Sequence, residues 1–180
     1  TYTALSEAAN KLNACGIETT MLHIGKQAIH GCTGCMACYR SHQCVYTEDK
    51  VNEAVGLAQQ ADGIIVGSPV YYAGPNGALC AFLDRMFYLK EHLYAGKPAA
   101  AVVNCRRGGA SAAFDRLNKY FTISSMPVVS SQYWNSTHGF TPEDVKQDLE
   151  GMQTMRTLAA NMAQIIKALQ HGEPVGHREE

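Results

Sequence analysis

The sequence predicts an α/β domain in which helices cover both faces of a doubly wound parallel sheet. Helix and strand patterns alternate along the chain, and two short apolar runs occupy residues 63–66 and 98–103. Continuous apolar runs of this length are typical of strands that are buried on both faces, as in parallel sheets. Because the segments between the runs have helical periodicity, the helices are expected to form the two outer layers.

Composition limits the classes of protein that this chain can belong to. It has 180 residues, of which 46% are hydrophobic and 17% are charged, which suits one globular domain. We expect a single domain over 1–171 and a polar tail over 172–180. A net charge of −1 without a basic tract argues against nucleic acid as a partner. No apolar run reaches the roughly 18 residues of a membrane helix, so the expected location is the cytoplasm, with no membrane partner.

The individual elements follow from local patterns. Asp49 is a candidate N-cap for the second predicted helix, and Thr141 followed by Pro142 is a strong start for the last one. The predicted helices cover 2–14, 50–60, 77–92, 111–121 and 142–169. The predicted strands cover 17–22, 63–66, 98–103 and 127–129.

Two glycine-rich loops leave the ends of the buried strands, at 68–77 and 104–109. Ligands of doubly wound sheets bind beyond the carboxyl ends of the strands, where such loops lie. Glycine lets the backbone approach a ligand closely, and Tyr71 and Tyr72 can cover the face of a ring. Arg106 and Arg107 could balance negative charge on it. The two loops together therefore predict a site for a planar polar ligand such as a flavin.

These residues resemble a known family. The segment DGIIVGSPVYY at 62–72, followed by FLDR at 82–85, is similar to the NADPH-dependent FMN reductase family, whose neighbours are multimeric flavodoxins and iron–sulfur flavoproteins. The resemblance extends to 106–109 and 127–135. It implies a flavodoxin-like fold with a three-layer, five-stranded sheet, bound FMN, NAD(P)H as electron donor, and a homodimer or homotetramer.

The resemblance also implies which residues contact FMN. Asp84 and Arg85 lie beyond the mouth of the site and are interpreted as structural. Cys105 lies in the second loop and is a weaker candidate than its neighbours. The residues expected to bind the cofactor are Ser68, Pro69, Val70, Tyr71, Tyr72, Ala73, Gly74 and Gly77 in the first loop and Cys105, Arg106, Arg107, Gly108 and Gly109 in the second.

The beginning of the chain departs from the family pattern. Family members open with a strand and a loop that holds the FMN phosphate at the N-terminus of the first helix. Here only Thr1 matches the last hydroxyl residue of that loop. The absent strand would be central in the 2-1-3-4-5 strand order, so we expect roughly a dozen further residues upstream in the natural protein.

Four of the seven cysteines form a compact pattern: Cys32, Cys35, Cys38 and Cys44. Four thiolates on one loop can hold a [4Fe–4S] cluster or a tetrahedral zinc ion, and the loop could equally pack with free thiols. The spacing resembles that of the iron–sulfur flavoproteins. The remaining helical cysteines, Cys15 and Cys80, are expected to be buried apolar groups.

Three functions are compatible with this sequence. The first is an oxidoreductase that passes electrons from NAD(P)H through FMN to a small acceptor such as a quinone, a flavin or a nitro compound. No catalytic side chain is expected, because the flavin carries the chemistry. The second is an electron carrier with an iron–sulfur cluster on the four cysteines, and the third is a non-enzymatic interaction protein on the same scaffold.

Overall fold

The computed structural model describes residues 1–170, and the expected polar tail lies outside them. A 3₁₀ turn at Glu91–Leu93 follows the fourth helix. None of the described helices is long and apolar enough to cross a lipid bilayer. The helices are α1 (Tyr2–Ala14), α2 (Cys38–Ser41), α3 (Val51–Gln60), α4 (Gly77–Lys90), α5 (Ala110–Ile123), α6 (Pro142–Gln147) and α7 (Leu149–Gln170). The strands are β1 (Ile64–Tyr71), β2 (Gly74–Pro75), β3 (Ala99–Cys105) and β4 (Ser136–His138).

The strands form one sheet in the order β2-β1-β3-β4. β1 and β3 run parallel, in a register that begins with Ile64 opposite Ala99. β4 pairs in parallel with the end of β3, and β2 is the short antiparallel return of a hairpin on β1. The parallel centre of the sheet, with helices on both sides, confirms the predicted fold class.

Two hydrophobic cores lie on opposite faces of the sheet, and β3 contributes to both. Its side chains alternate: Ala101 and Val103 join the core under α3, α4 and α5, whereas Ala100 and Val102 join the core under α1 and α7. Strand side chains alternate between the two faces with a period of two. β3 is therefore buried on both sides, which is why its sequence is a continuous apolar run.

The predicted strand at 17–22 is wrong, because the structure has irregular backbone there. Ile17 packs against one core and Leu22 against the other. A strand also needs a neighbour for its hydrogen bonds. Within residues 1–170, β1 pairs with β3 along Ile64–Pro69 but with β2 only at its last two residues, so the rest of its outer edge carries no strand.

The last predicted strand, at 127–129, is reduced to a single bridge between Ala99 and Val128. The backbone N–H of Val129 still donates to the carbonyl oxygen of Ala99, at 2.8 Å. The last strand of the sheet is instead β4, a few residues later. β4 has three residues, all polar, so no local sequence pattern identifies it as a strand.

The long helix predicted over 142–169 is divided in two at Asp148. This residue has φ −75° and ψ 77°, outside the helical region, between α6 and α7. Its carboxylate accepts hydrogen bonds from the backbone N–H groups of His138, at 2.7 Å, and Gly151, at 2.9 Å. Asp148 therefore caps the beginning of α7 and ties it to the end of β4.

Candidate functional site

The first glycine-rich loop is a tight hairpin at the carboxyl end of β1. Tyr71 pairs with Gly74, and the two turn residues, Tyr72 and Ala73, have φ values of +50° and +58°. Two consecutive left-handed residues are typical of a type I′ turn, although non-glycine residues adopt this conformation at an energetic cost. The turn leaves the Tyr72 ring fully exposed and Tyr71 more than half exposed. Both tyrosines can therefore contact a ligand beyond the sheet edge.

Ser68 fastens this loop from inside. The side chain is completely buried, and its Oγ donates to the carbonyl oxygen of Pro69 and accepts from the backbone N–H of Asn76. Asn76 in turn accepts from the N–H of Leu79 at 3.0 Å, which caps the beginning of α4. These hydrogen bonds join the hairpin to the helix that follows it.

The two predicted loops meet at Gly109. This glycine has φ +85°, and a Cβ atom built there would lie 2.7 Å from Cα of Ala73 and 3.2 Å from Cγ1 of Val70. Gly77 and Gly108 differ, because among residues 1–170 no atom outside their own chain neighbours lies within 4 Å of a Cβ atom built at either. The two loops are therefore in contact at Gly109, and the space over Gly77 and Gly108 is open, as a planar cofactor requires. These residues fit the flavin that the sequence predicts.

The remaining predicted residues differ in accessibility. Arg106 and Arg107 are exposed beside Gly108. Cys105 is buried, and this burial, together with the charge of Asp148, raises the pKa of its thiol. The Cys105 side chain therefore supports the loop from beneath, as a neutral thiol at pH 7.

At the chain start, Thr1 is the N-cap residue of α1 and is half-buried. Its carbonyl oxygen accepts the first hydrogen bond of the helix, from the N–H of Leu5 at 3.0 Å. Its side chain makes no capping hydrogen bond to the helix. The contact between Thr1 and a phosphate stays a prediction.

A groove of about 510 Å³ opens beside the second loop. The Arg106 guanidinium lies over the Phe140 ring, 5.7 Å from its centroid, and 79% of Phe140 is exposed. The sequence analysis did not identify Phe140; the only local signal was an apolar residue in a polar loop after the last strand. The groove is lined by Arg106, His138, Gly139, Phe140 and Asp144.

The floor of this groove is held by hydrogen bonds to the sheet. The Asn104 side chain donates to the carbonyl oxygen of Gly139 at 3.1 Å, and the N–H of Gly139 donates to the carbonyl oxygen of Cys105 at 3.0 Å. The N–H of Phe140 donates to the Asp144 carboxylate. A large apolar ring is therefore held in water by an ordered backbone.

The four clustered cysteines lie on the irregular segment before α3 and line a cavity of about 30 Å³. Gly34 and Met36 have left-handed backbone angles, and α2 begins at Cys38, so the segment folds back on itself. Cys32 and Cys35 are exposed, whereas Cys38 and Cys44 are partly buried. In residues 1–170, no group of three or more His, Cys, Asp or Glu side chains converges as a finished metal site. The four thiols nevertheless match the donor set of an iron–sulfur cluster.

Asp84 and Arg85 stabilise the structure, as expected from their position. Tyr120 donates its hydroxyl to the Asp84 carboxylate, and burial together with this neighbour raises the pKa of Tyr120. Arg85 is 2% exposed and contacts residues 30–49, the cysteine segment, through Cys44. Both residues project from α4, the helix that begins at the hairpin.

The doubly wound sheet with paired loops at its carboxyl edge defines a flavodoxin-like protein, and comparison with solved structures agrees. The WrbA-like flavodoxin of Agrobacterium tumefaciens superposes with a TM-score of 0.66 at 16% identity, over 93% of this chain and 89% of that one. FerB, an NAD(P)H:acceptor oxidoreductase of Paracoccus denitrificans, superposes with a TM-score of 0.65 at 19% identity, over 92% of this chain and 88% of that one. At these identities the likeness shows the fold alone.

The sequence places the chain more narrowly: it belongs to the NADPH-dependent FMN reductase family, whose model matches residues 1–141. It is 32% identical to an iron–sulfur flavoprotein of Methanocaldococcus jannaschii, over 91% of this chain and 88% of that protein. An iron–sulfur flavoprotein of Methanosarcina thermophila is 29% identical, over 86% and 82%. The chain is therefore an NAD(P)H-dependent FMN-reductase-like oxidoreductase, as predicted.

Proposed function

We propose that this protein passes electrons from NAD(P)H, through FMN held between its two loops, to a small planar acceptor. The observation that carries the proposal is the contact of Gly109 with Ala73, which joins the loops at the carboxyl ends of β1 and β3. Adjacent parallel strands in an open α/β sheet bind ligands at this edge. The open space over Gly77 and Gly108 gives a flat ring access to both loops.

The protein's part in this reaction is to bind and orient. Backbone N–H groups of the two loops can bond the ring's polar edge, and Tyr71 and Tyr72 can cover its face. Arg106 and Arg107 supply positive charge beside it, and Thr1 at the start of α1 suits the phosphate. When bound, FMN supplies the hydride and electron transfer, so no side chain is assigned as acid, base or nucleophile.

The groove beside Arg106 is proposed as the acceptor's contact surface. An exposed ring at Phe140, under a guanidinium, suits the planar π-systems of quinones, flavins and nitroaromatic compounds. These are the acceptor classes that the sequence analysis considered. The groove opens next to the second loop, so an acceptor there would lie close to the proposed flavin site.

Steady-state kinetics with NADPH and NADH tests this proposal, after FMN binding has been measured by fluorescence quenching. We expect the Phe140→Ala variant to bind FMN normally and to raise KM for a quinone about tenfold. The control is Ile123→Ala, which also removes an exposed apolar side chain. Ile123 is the last residue of α5, roughly 20 Å along the helix from the end that follows the second loop. Failure to bind FMN, or to oxidise either nucleotide, would refute the proposed activity; an unchanged KM would refute only the acceptor surface.

A second function is favoured by one observation: all four clustered cysteines line the same cavity. We infer that Cys32, Cys35, Cys38 and Cys44 hold a [4Fe–4S] cluster that exchanges electrons with the flavin, and the names of the homologous proteins support this. Anaerobic reconstitution should yield about four iron ions per chain. Cys38→Ser should lose them, whereas Cys15→Ser, outside the segment, should not. Zinc binding or an iron-free wild-type protein would count against the cluster.

We also infer a homodimer or homotetramer. Exposed apolar side chains gather on and beside the cysteine segment, a patch of the kind that a second copy can cover. They are Met36, Tyr39, Val45 and Tyr88. Sedimentation equilibrium of the wild-type protein should give an assembly larger than one chain, and a monomer at micromolar concentration would refute this inference.

A further inference from the structure

Arg85 is a buried cation, and its hydrogen-bond partners among the described residues lie on the segment 30–49, which carries the four clustered cysteines. Its side chain is 1% exposed, and Asp49, which pairs with it, is 4% exposed. Nη2 donates to Oδ1 of Asp49 at 3.2 Å, and Nη1 donates to Oδ2 of the same carboxylate. A guanidinium this deeply buried requires a carboxylate and full hydrogen bonding, because burying a bare charge is costly.

The remaining donors of Arg85 reach both ends of the segment. Nη1 donates to the carbonyl oxygen of His30 at 3.3 Å, before the first clustered cysteine. Nη2 donates to the carbonyl oxygen of Tyr46 at 2.8 Å, after the last one. The His30 and Tyr46 rings stack 4.3 Å apart, and the Arg85 guanidinium lies 5.2 Å from the Tyr46 ring. One side chain thus closes the loop that carries all four cysteines.

The fifth contact is to a sulfur atom. Nε–H of Arg85 donates to Sγ of Cys44 at 3.1 Å. This is a short distance for a bond to sulfur, and the donor is held in place by the Asp49 pair. Cys32 and Cys35, by contrast, are exposed to water. Cys44 is therefore a thiol with a fixed, charged hydrogen-bond donor.

We propose that Arg85 is the positioning residue of the four-cysteine site and raises the reduction potential of the group bound there through its hydrogen bond to Cys44. This inference rests on the cluster proposed above. A donor to a ligating sulfur draws electron density from it and favours the reduced, more negative form of the cluster. Arg85 also lies eight residues after Gly77, about 12 Å along α4. The helix that begins at the hairpin therefore also carries the residue that contacts Cys44.

The first test compares the cluster potential of three proteins after anaerobic reconstitution with iron and sulfide: wild type, Arg85→Lys and Arg116→Lys. Lysine keeps the charge but has one donor atom in place of the planar fork. We expect Arg85→Lys to take up iron and to have a more negative midpoint potential. Arg116→Lys should match the wild type, because Arg116 lies on α5 and contacts Tyr120 and Asp84. A purely structural role for Arg85 would lower stability and leave the potential unchanged, which would overturn the proposal.

A second measurement needs no substitution at Arg85, in case that variant does not fold. Wild-type protein labelled with ¹⁵N only in the arginine guanidinium groups is reduced and studied by pulsed EPR. A ¹⁵N coupling to the reduced cluster is expected from the Nε–H to Sγ bond, and its absence would overturn the proposal. If the wild type binds no cluster, this inference and the four-cysteine function both fail, whereas FMN-dependent oxidation of NAD(P)H is unaffected.

Discussion

Gly109 shows how one residue type can determine a site. Its φ of +85° belongs to the region that glycine tolerates and other residues avoid, and the space for a side chain is already occupied by the hairpin. Gly108, one residue earlier, has open space instead. The adjacent glycines thus differ in their surroundings: Gly109 allows the two loops to touch, whereas Gly108 faces open space.

This contrast gives a paired prediction. Gly109→Ala should lower the free energy of unfolding by about 1–3 kcal/mol, through backbone strain and the clash with Ala73, and should weaken FMN binding. Gly108→Ala should change stability by less than about 0.5 kcal/mol while also weakening FMN binding. Urea unfolding and FMN titration measure the two effects. Equal stability of the two variants would contradict the loop contact.

At the scale of elements, the junction between β4, α6 and α7 depends on two aspartates with different tasks. Asp148 joins β4 to α7, as described above, and Asp144 belongs to a capping box at the start of α6. The Thr141 hydroxyl accepts from the N–H of Asp144 at 3.2 Å, and the Asp144 carboxylate accepts from the N–H of Thr141 at 2.9 Å. Each carboxylate satisfies backbone donors that a helix start otherwise leaves free.

We expect Asp148→Ala to lower the free energy of unfolding by about 1–2 kcal/mol, because two backbone N–H groups lose their acceptor. Glu150→Ala is the matched control: it removes an exposed acid from the same first turn of α7. Chemical denaturation of both variants makes the comparison. A loss no larger than that of the control would show that Asp148 does not join the two elements.

The pH dependence of the Asp144 contribution can be derived from its hydrogen bonds. Those from the backbone N–H groups of Thr141 and Phe140 lower the pKa of Asp144 below its ordinary value of 3.8. A carboxyl whose pKa is lower in the folded state stabilises the fold above its unfolded pKa and loses this effect as pH falls through the folded pKa. The stability difference between wild type and Asp144→Asn should therefore be full at pH 6 and shrink below about pH 4.

Denaturation at pH 6, 4 and 3 measures this difference. Glu143→Gln is in the same turn but outside the capping box, so its difference from the wild type should be smaller at pH 6. A wild-type advantage over Asp144→Asn that stays constant down to pH 3 would mean that the folded and unfolded carboxyls titrate alike. The capping box would then not account for the charge effect.

For the whole molecule, stability comes from two cores separated by the sheet. On one face, Phe87 contacts Tyr94, Tyr120 and Phe121, with ring centroids 5.3–6.0 Å apart. On the other, α1 and α7 pack over β3 through small and flexible side chains such as Ala8 and Met155. The site lies at the carboxyl edge of the sheet that separates these two cores.

Phe121→Ala should destabilise the protein by about 3–5 kcal/mol, because Phe121 is fully buried in the aromatic cluster. Leu149→Ala, at a position that is 75% exposed, should change stability by less than about 0.5 kcal/mol. Thermal melting of both variants is the measurement. A small loss for Phe121→Ala would mean that the first core is not closed around this ring.

The sequence by itself determined the elements whose hydrogen bonds are local. Helices α1, α3, α4 and α5 were predicted within about three residues at each end, since helical bonds join residues four apart and leave a periodic pattern. The buried strands β1 and β3 were predicted from their apolar runs. The segments after these runs were identified for the same reason, but the predicted loops begin too early, since residues 68–71 belong to β1 and Cys105 to β3.

Only the tertiary structure decided the features that depend on distant partners. Residues 17–22 are not a strand because no neighbour pairs with them in the described chain, and β4 is a strand because β3 offers it an edge. Phe140 and Arg106 line the same groove although 34 positions separate them, and Arg85 contacts Cys44 across 41 positions. Such contacts depend on how layers pack, and a strand or a binding surface leaves little local pattern when its hydrogen bonds and burial come from elsewhere in the chain.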